Sequence, residues 1–252
     1  MTTEAANKKA TLSRSLMLSA LAACVISVGA PCVAQETDPP DPPTAPAGGE
    51  GRSPLFAPSA WMMLNTPLQE RIDLKTYGFY IGELGVPVAQ IDLPIRAAKF
   101  LTVTPSYMYY RVPDSGLNEL SSQPAHFTND YEEHQFRIDG TFSFAIRKSE
   151  LSVRNMYVRR FRPPPLDDMN RFRGRISFAH PLALRGRTWK PFASYETFYE
   201  HDNGGWNRYR LSTGVTAPLK RRVLIQPSYM WESSEGSRDA HYVLLGVIVN
   251  TR

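Results

Sequence analysis

The chain has 252 residues, 42% of them hydrophobic, and a formal net charge of +5. That length suits one large all-β domain or two small ones, and after the N-terminal leader no run approaches the roughly 18 consecutive apolar residues of a spanning helix. A helical membrane bundle is therefore excluded, but a barrel is not, because its strands show lipid only every second side chain.

The first 34 residues have the form of a secretory signal peptide. Lys8, Lys9 and Arg14 precede an apolar stretch over residues 16–28, and a Gly-Ala-Pro break leads to small residues at Cys32, Val33 and Ala34. Cleavage is expected before Gln35. An overlapping alternative is a lipoprotein signal, because Leu21-Ala22-Ala23-Cys24 matches a lipobox in which Cys24 would be acylated; the apolar run beyond Cys24 is unusual for one. Cleavage after Ala34 removes both cysteines, leaving no disulfide, cysteine metal site or cysteine nucleophile. Stability must then come from strand pairing and packing. It also removes three bases and one acid, so the net charge falls from +5 to +3 (26 bases against 23 acids). No basic cluster forms a nucleic-acid face, and no such partner is expected.

Residues 35–58 are dominated by proline. They read as an extended, disordered spacer, because proline removes backbone donors and favours polyproline conformation. The barrel domain is assigned to residues 59–252.

From residue 59 the texture changes to strands rich in Tyr, Phe, Val and Arg. Along 135–147, Phe136, Ile138, Gly140, Phe142, Phe144 and Ile146 share one face, and Arg137, Asp139, Thr141, Ser143 and Ala145 the other. That period of two marks a strand with one apolar and one polar side. Phe172, Ile176 and Phe178 likewise oppose Arg171, Arg173, Arg175 and Ser177. Tyr209, Leu211, Val215 and Leu219 oppose Arg208, Arg210, Ser212 and Thr216, and Val223, Ile225, Tyr229 and Trp231 oppose Gln226, Ser228 and Glu232.

Tight and open connections roughly alternate: a long polar segment at 113–130, a tight turn at 147–150, a Pro-rich loop at 162–168, then links near 181–187, 202–205, 218–222 and 233–239. Outer-membrane barrels have short periplasmic turns and longer outer loops. The expected fold is an all-β, antiparallel up-and-down transmembrane β-barrel of about 12 strands, with 10 as the fallback, because such barrels usually take even numbers. Closure leaves no unpaired edge in hydrocarbon. A soluble periplasmic sandwich or lipocalin-like barrel, with its apolar faces inward, shares the same periodicity. Three arginines on one strand face suit a polar lumen better. Tyr107, Tyr109, Tyr110, Tyr157, Trp189, Tyr195, Tyr199, Tyr229 and Trp231 lie near strand ends, as interfacial girdles require.

The most specific constellation is charged. Arg171, Arg173 and Arg175 share one inward face, Lys190, Ser194, Glu196 and Glu200 the next, and Arg208 and Arg210 a third. Neighbouring strands would set the two glutamates between arginine ladders, where opposite charges pair. Such a network braces and closes a lumen; a wider lumen would instead select anionic solutes. His126, His134, His180, His201 and His241 show no metal-ligand spacing. A membrane lipid hydrolase or acyltransferase could use one with a serine, but no catalytic, metal or cofactor residue is identified.

The pieces EHQFRI (133–138), NRFRGRISF (170–178), ASYETFYE (193–200), NRYRLSTGV (207–215) and PSYMW (227–231), in that order, resemble the bacterial family catalogued as domain of unknown function 2490, over about residues 60–250. The resemblance implies an outer-membrane β-barrel and carries no catalytic residue, cofactor or substrate. The expectation is thus a structural or passive-transport protein of a Gram-negative outer membrane. Its partners would be outer-membrane lipid, periplasmic chaperones and the barrel-insertion machinery. One departure is the end, Val249-Asn250-Thr251-Arg252, where outer-membrane barrels often carry a terminal aromatic residue.

Overall fold

A strand needs ladder partners on both edges, and here every strand except the short Leu182–Leu184 segment finds them. A computed structural model describes residues 54–82, 85–112, 131–163, 168–201, 205–234 and 239–251. The expected signal peptide and lipobox, the spacer up to residue 53, His126 and most of the long connections fall outside them.

The described chain forms β1 (Leu55–Gln69), β2 (Ile72–Ile81), β3 (Val86–Asp92), β4 (Ile95–Ala98), β5 (Leu101–Val112), β6 (Tyr131–Ile146), β7 (Ser149–Phe161), β8 (Met169–Ala179), β9 (Leu182–Leu184), β10 (Arg187–Glu200), β11 (Gly205–Lys220), β12 (Val223–Ser234) and β13 (Ala240–Asn250). The strands pair in chain order as an antiparallel meander in which β3 and β4 both lie between β2 and β5, β8 and β9 both pair β10, and pairing of β1 with both β2 and β13 closes the ring.

Two staves of the barrel are interrupted by proline. β3 and β4 keep one register against β5, Asp92↔Ser106 continuing as Ile95↔Val103, with the break at Leu93-Pro94. β8 and β9 keep one register against β10, Phe192↔Ala179 continuing as Arg187↔Leu184 across His180-Pro181. Proline has no N–H for the ladder, yet the carbonyl of Pro94 still accepts from Asp73 N at 3.1 Å. The thirteen segments are therefore eleven staves.

The barrel architecture is as the sequence implies, but the number lies between the expected 12 and 10. An odd meander leaves its first and last strands pointing the same way, so β1 pairs β13 in parallel from Leu55↔Ala240 to Asn65↔Asn250. Even parity is usual for bacterial barrels and is not a condition of closure. The strand register also starts early: residues 55–58, assigned above to the spacer, belong to β1, with Leu55 and Ala57 buried and Phe56 exposed.

Connections sort by end. Gln69 to Ile72, Ile146 to Ser149, Leu184 to Arg187 and Lys220 to Val223 are tight, while Val112 to Tyr131, Phe161 to Met169 and Ser234 to Ala240 lie at the opposite rim. In the Leu184–Arg187 hairpin, Arg185 and Gly186 both take positive φ, as a turn matching the strand twist demands. β1 enters at the long-connection rim and β13 finishes at the tight-turn rim.

Side-chain facing is inverted relative to a soluble protein. On β6, Phe136 (56% exposed) and Ile138 (51%) point out, whereas Glu133 (0%) and Arg137 (6%) are buried in the interior. Phe172, Ile176, Phe178 and Leu211 are exposed as well. The interior holds a second, apolar region near the long-connection rim, where Leu55, Ala57, Val86, Ala240 and Tyr242 pack together. Lower on the β1–β13 seam, the Trp61 ring lies so close to Gly246 that a Cβ there would stand 2.2 Å from it. Only glycine fits beneath that indole.

Candidate functional site: the charged lumen

The inward faces of β7, β8, β10, β11 and β12 come into one cross-strand row. The register runs Arg154↔Arg175, Arg175↔Glu196, Glu196↔Arg210 and Arg210↔Glu232. Period-two alternation puts each of these side chains in the lumen, and the barrel's curvature makes them converge.

Glu196 is the hub. Its Oε1 accepts from Arg154 Nη2 at 2.7 Å and from Arg173 Nη2 at 3.0 Å, and its Oε2 accepts from Arg210 Nη1 at 3.4 Å. Arg210 turns its other edge to Glu232, donating from Nε at 2.9 Å, and Arg208 stands 3.7 Å from the same carboxylate. Arg171 bonds Glu200, whose second oxygen accepts from Asn207 Nδ2 at 2.9 Å. Nearer the long-connection rim, Arg160 grips Glu133 with two parallel bonds of 2.6 Å, and Gln135 donates to the same carboxylate at 2.5 Å. Bidentate geometry of this kind is the strong form of the pair.

Phe198 sits within this network. It is 1% exposed, and the guanidinium carbons of Arg173, Arg210, Arg208 and Arg171 lie 4.7, 5.0, 5.7 and 5.8 Å from its ring centroid. A ring face attracts desolvated cations, so one phenyl group packs the space between four like charges.

Of the residues singled out in the sequence, Arg171, Arg173, Glu196, Glu200, Arg208 and Arg210 are brought together in these pairs. Arg175 faces inward opposite Glu196, but its Nε has no hydrogen-bond partner. Lys190 sits apart, 2.7 Å from Glu150 and exposed near the tight-turn rim. Arg154, Arg160, Glu133 and Phe198 were not singled out. Phe198 was legible, since it lies two residues from both Glu196 and Glu200. The β7 arginines were not, because Arg159 and Arg160 are adjacent and point to opposite faces.

The lumen differs between its two halves. Towards the long connections the inward residues Glu133, Val158, Arg160, Arg171, Phe198, Glu200 and Tyr242 are all buried. Towards the tight turns, Thr102, Thr141, Ser152, Ser177, Ser194 and Thr216 face inward and keep partial exposure. The interior is thus packed at one end and lined by small hydroxyl side chains at the other.

The outer face carries aromatic pairs: Tyr107 with Phe136 (5.2 Å between centroids), Tyr157 with Phe172 (5.2 Å) and Tyr199 with Trp206 (5.4 Å). Tyr110, expected among these, turns inward instead, and Arg160 Nη2 donates to its hydroxyl at 3.1 Å. It follows outward Tyr109 in the chain, so the pleat decides. His134 and His241 lie 2.6 and 2.5 Å from the hydroxyls of Tyr107 and Tyr229, and His180 lies 2.8 Å from Ser149 Oγ. No group of three or more metal-ligating side chains occurs among the described residues.

A family model described as "Protein of unknown function (DUF2490)" matches residues 65–242. No curated protein matches the chain. Among solved structures it is similar to "Outer-membrane expressed OmpT of Vibrio cholerae", with 11% identity and a TM-score of 0.35. The match covers 65% of this chain and 51% of that one, so this chain spans about half the length of that protein.

Proposed function

We propose that this chain, which belongs to the DUF2490 family of proteins of unknown function, is an outer-membrane β-barrel of structural type, its lumen braced and closed by the Arg/Glu network. The observation that carries the reading is the inverted facing. Large apolar side chains such as Phe56, Met62, Ile138, Leu211 and Leu245 are exposed all round the barrel, while charged ones are buried inside it. In water such a belt far exceeds the few hundred Å² of contiguous apolar surface that a monomer tolerates. In hydrocarbon it is the required surface, and the closed ladder leaves a free sheet edge only at the short Leu182–Leu184 segment by the tight-turn rim.

The packed half of the lumen favours a brace over an open pore. A conducting channel needs a continuous wet path, whereas Glu133, Phe198 and their arginines fill the interior with paired, desolvated groups. Buried pairs of this type fix one arrangement more than they add stability, because desolvation offsets much of their attraction. Extraction of membranes with alkaline carbonate tests the setting: the protein should stay in the outer-membrane pellet, and release into the wash would contradict it. Planar-bilayer recordings test the brace: the wild-type protein should give no steady current above background, and a stable open conductance would replace the brace with a pore.

A further inference from the structure

We propose that the lumen contains a binding site for a phosphate-class oxyanion, formed by Arg137, Arg154 and Arg175 on β6, β7 and β8. It rests on the inward facing of these residues and stands independently of the membrane setting.

Charge inside the barrel is out of balance. Counted one carboxylate to one guanidinium, Glu133, Glu200 and Glu232 offset Arg160, Arg171 and Arg208, although Glu232 is also bonded by Arg210. The inward residues left are Lys75, which stands opposite Asp92, with Arg137, Arg154, Arg173, Arg175 and Arg210, against Glu196, Asp92 and Asp139, six positive charges against three negative. Glu196 is already shared by Arg154, Arg173 and Arg210. Buried charge without a counter-charge is costly, so a bound dianion would offset most of the excess around these residues.

Donors point the same way. Arg137 is 94% buried, yet its Nε and Nη2 have no hydrogen-bond partner, and its nearest carboxylate, Asp92, is 4.0 Å away. The Nε groups of Arg154 and Arg175 are also without partners. Arg154 and Arg175 stand directly opposite each other in the register, an arrangement that repels, and the Glu196 carboxylate beside them is already shared with Arg173 and Arg210. Guanidinium forks from three strands suit a tetrahedral anion with several acceptor oxygens. Next to them towards the tight turns lie Ser152, Ser177 and Ser194, half-buried hydroxyls that leave a polar approach.

The test titrates sodium phosphate into the detergent-purified full chain, by calorimetry and by the midpoint of thermal unfolding, with sodium chloride at matched ionic strength. Phosphate should bind saturably and raise the midpoint where chloride does not. Arg137→Gln and Arg175→Gln should each weaken binding about tenfold or more, the size of a lost charge-assisted hydrogen bond, while Lys148→Gln at an exposed turn should leave it unchanged. Arg175→Lys, which keeps the charge without the fork, replaces the glutamine variant if that variant does not fold. Glycerol phosphate binding more tightly than inorganic phosphate would assign the site to an esterified headgroup, and the reverse order to the free ion. Phosphate and chloride acting alike on the wild-type protein, or undiminished phosphate binding in both glutamine variants, would overturn the proposal. Flotation with liposomes reports the membrane reading separately.

Discussion

The guanidinium carbon of Arg173 lies 4.7 Å from the ring centroid of Phe198, and the same guanidinium donates to both oxygens of Glu196 at 3.0 and 3.1 Å. One arginine thus ties the apolar centre of the plug to its carboxylate hub. Removing the ring in Phe198→Ala leaves a cavity among four guanidinium groups. The expected loss is about 3–5 kcal/mol, typical of a buried aromatic truncation, read as a lower urea midpoint for loss of the compact, heat-modifiable form on gels. An unchanged midpoint would mean that the ring is dispensable.

Glu196 should be the most sensitive carboxylate. Glu196→Gln leaves Arg154, Arg173 and Arg210 sharing an uncharged amide in a desolvated interior, which is expected to cost about 3–5 kcal/mol. Glu150→Gln, by contrast, breaks an exposed pair with Lys190 and should cost about 0–1 kcal/mol. Equal effects in urea unfolding would show that burial does not separate the two pairs.

The outward belt makes a different demand. Ile138→Arg sets a guanidinium on the lipid-facing side of β6, at an expected cost of about 2–4 kcal/mol if the position is near mid-membrane. Phe142→Arg, nearer the tight-turn rim on the same face, should act in the same direction with a smaller effect. Refolding yield into lipid vesicles checks both, and yields equal to the wild type would argue against lipid contact at these sites.

The parallel seam can be trapped chemically. Met62 and Val247 are register partners on β1 and β13, and adjacent strand positions lie within the span of a disulfide. With Cys24 and Cys32 replaced by serine, Met62→Cys/Val247→Cys should oxidise within one chain and shift its mobility on a non-reducing gel. Failure to cross-link, with success at a neighbouring register, would redraw the closure.

The sequence showed the meander and its facing wherever alternation was clean, as in β6, β8 and β11. It could not show the stave number, because Pro94 and Pro181 break two staves into pieces that look like separate strands or links, and parity is a property of the whole ring. The charged site was partly legible. Glu196, Glu200 and the arginines of β8 and β11 stood out from their spacing. Glu133 and Arg160 did not, because their pairing joins the start of one strand to the end of the next. The apolar interior along β1, β2 and β13 was also hidden: Trp61, Phe79 and Tyr242 face inward from strands whose outer faces are apolar too, so no alternation in hydropathy marks them.

The most direct test of the facing uses single spin labels at Leu211 and Ser212, neighbours on β11, in protein lacking Cys24 and Cys32 and placed in lipid vesicles. The label at Leu211 should collide readily with oxygen dissolved in the acyl chains and poorly with a water-soluble nickel chelate, and the label at Ser212 should lose that preference for oxygen. Strong nickel contact at Leu211, with Ser212 the more oxygen-accessible of the two, would contradict a barrel that turns its apolar side to lipid and its charges to the lumen.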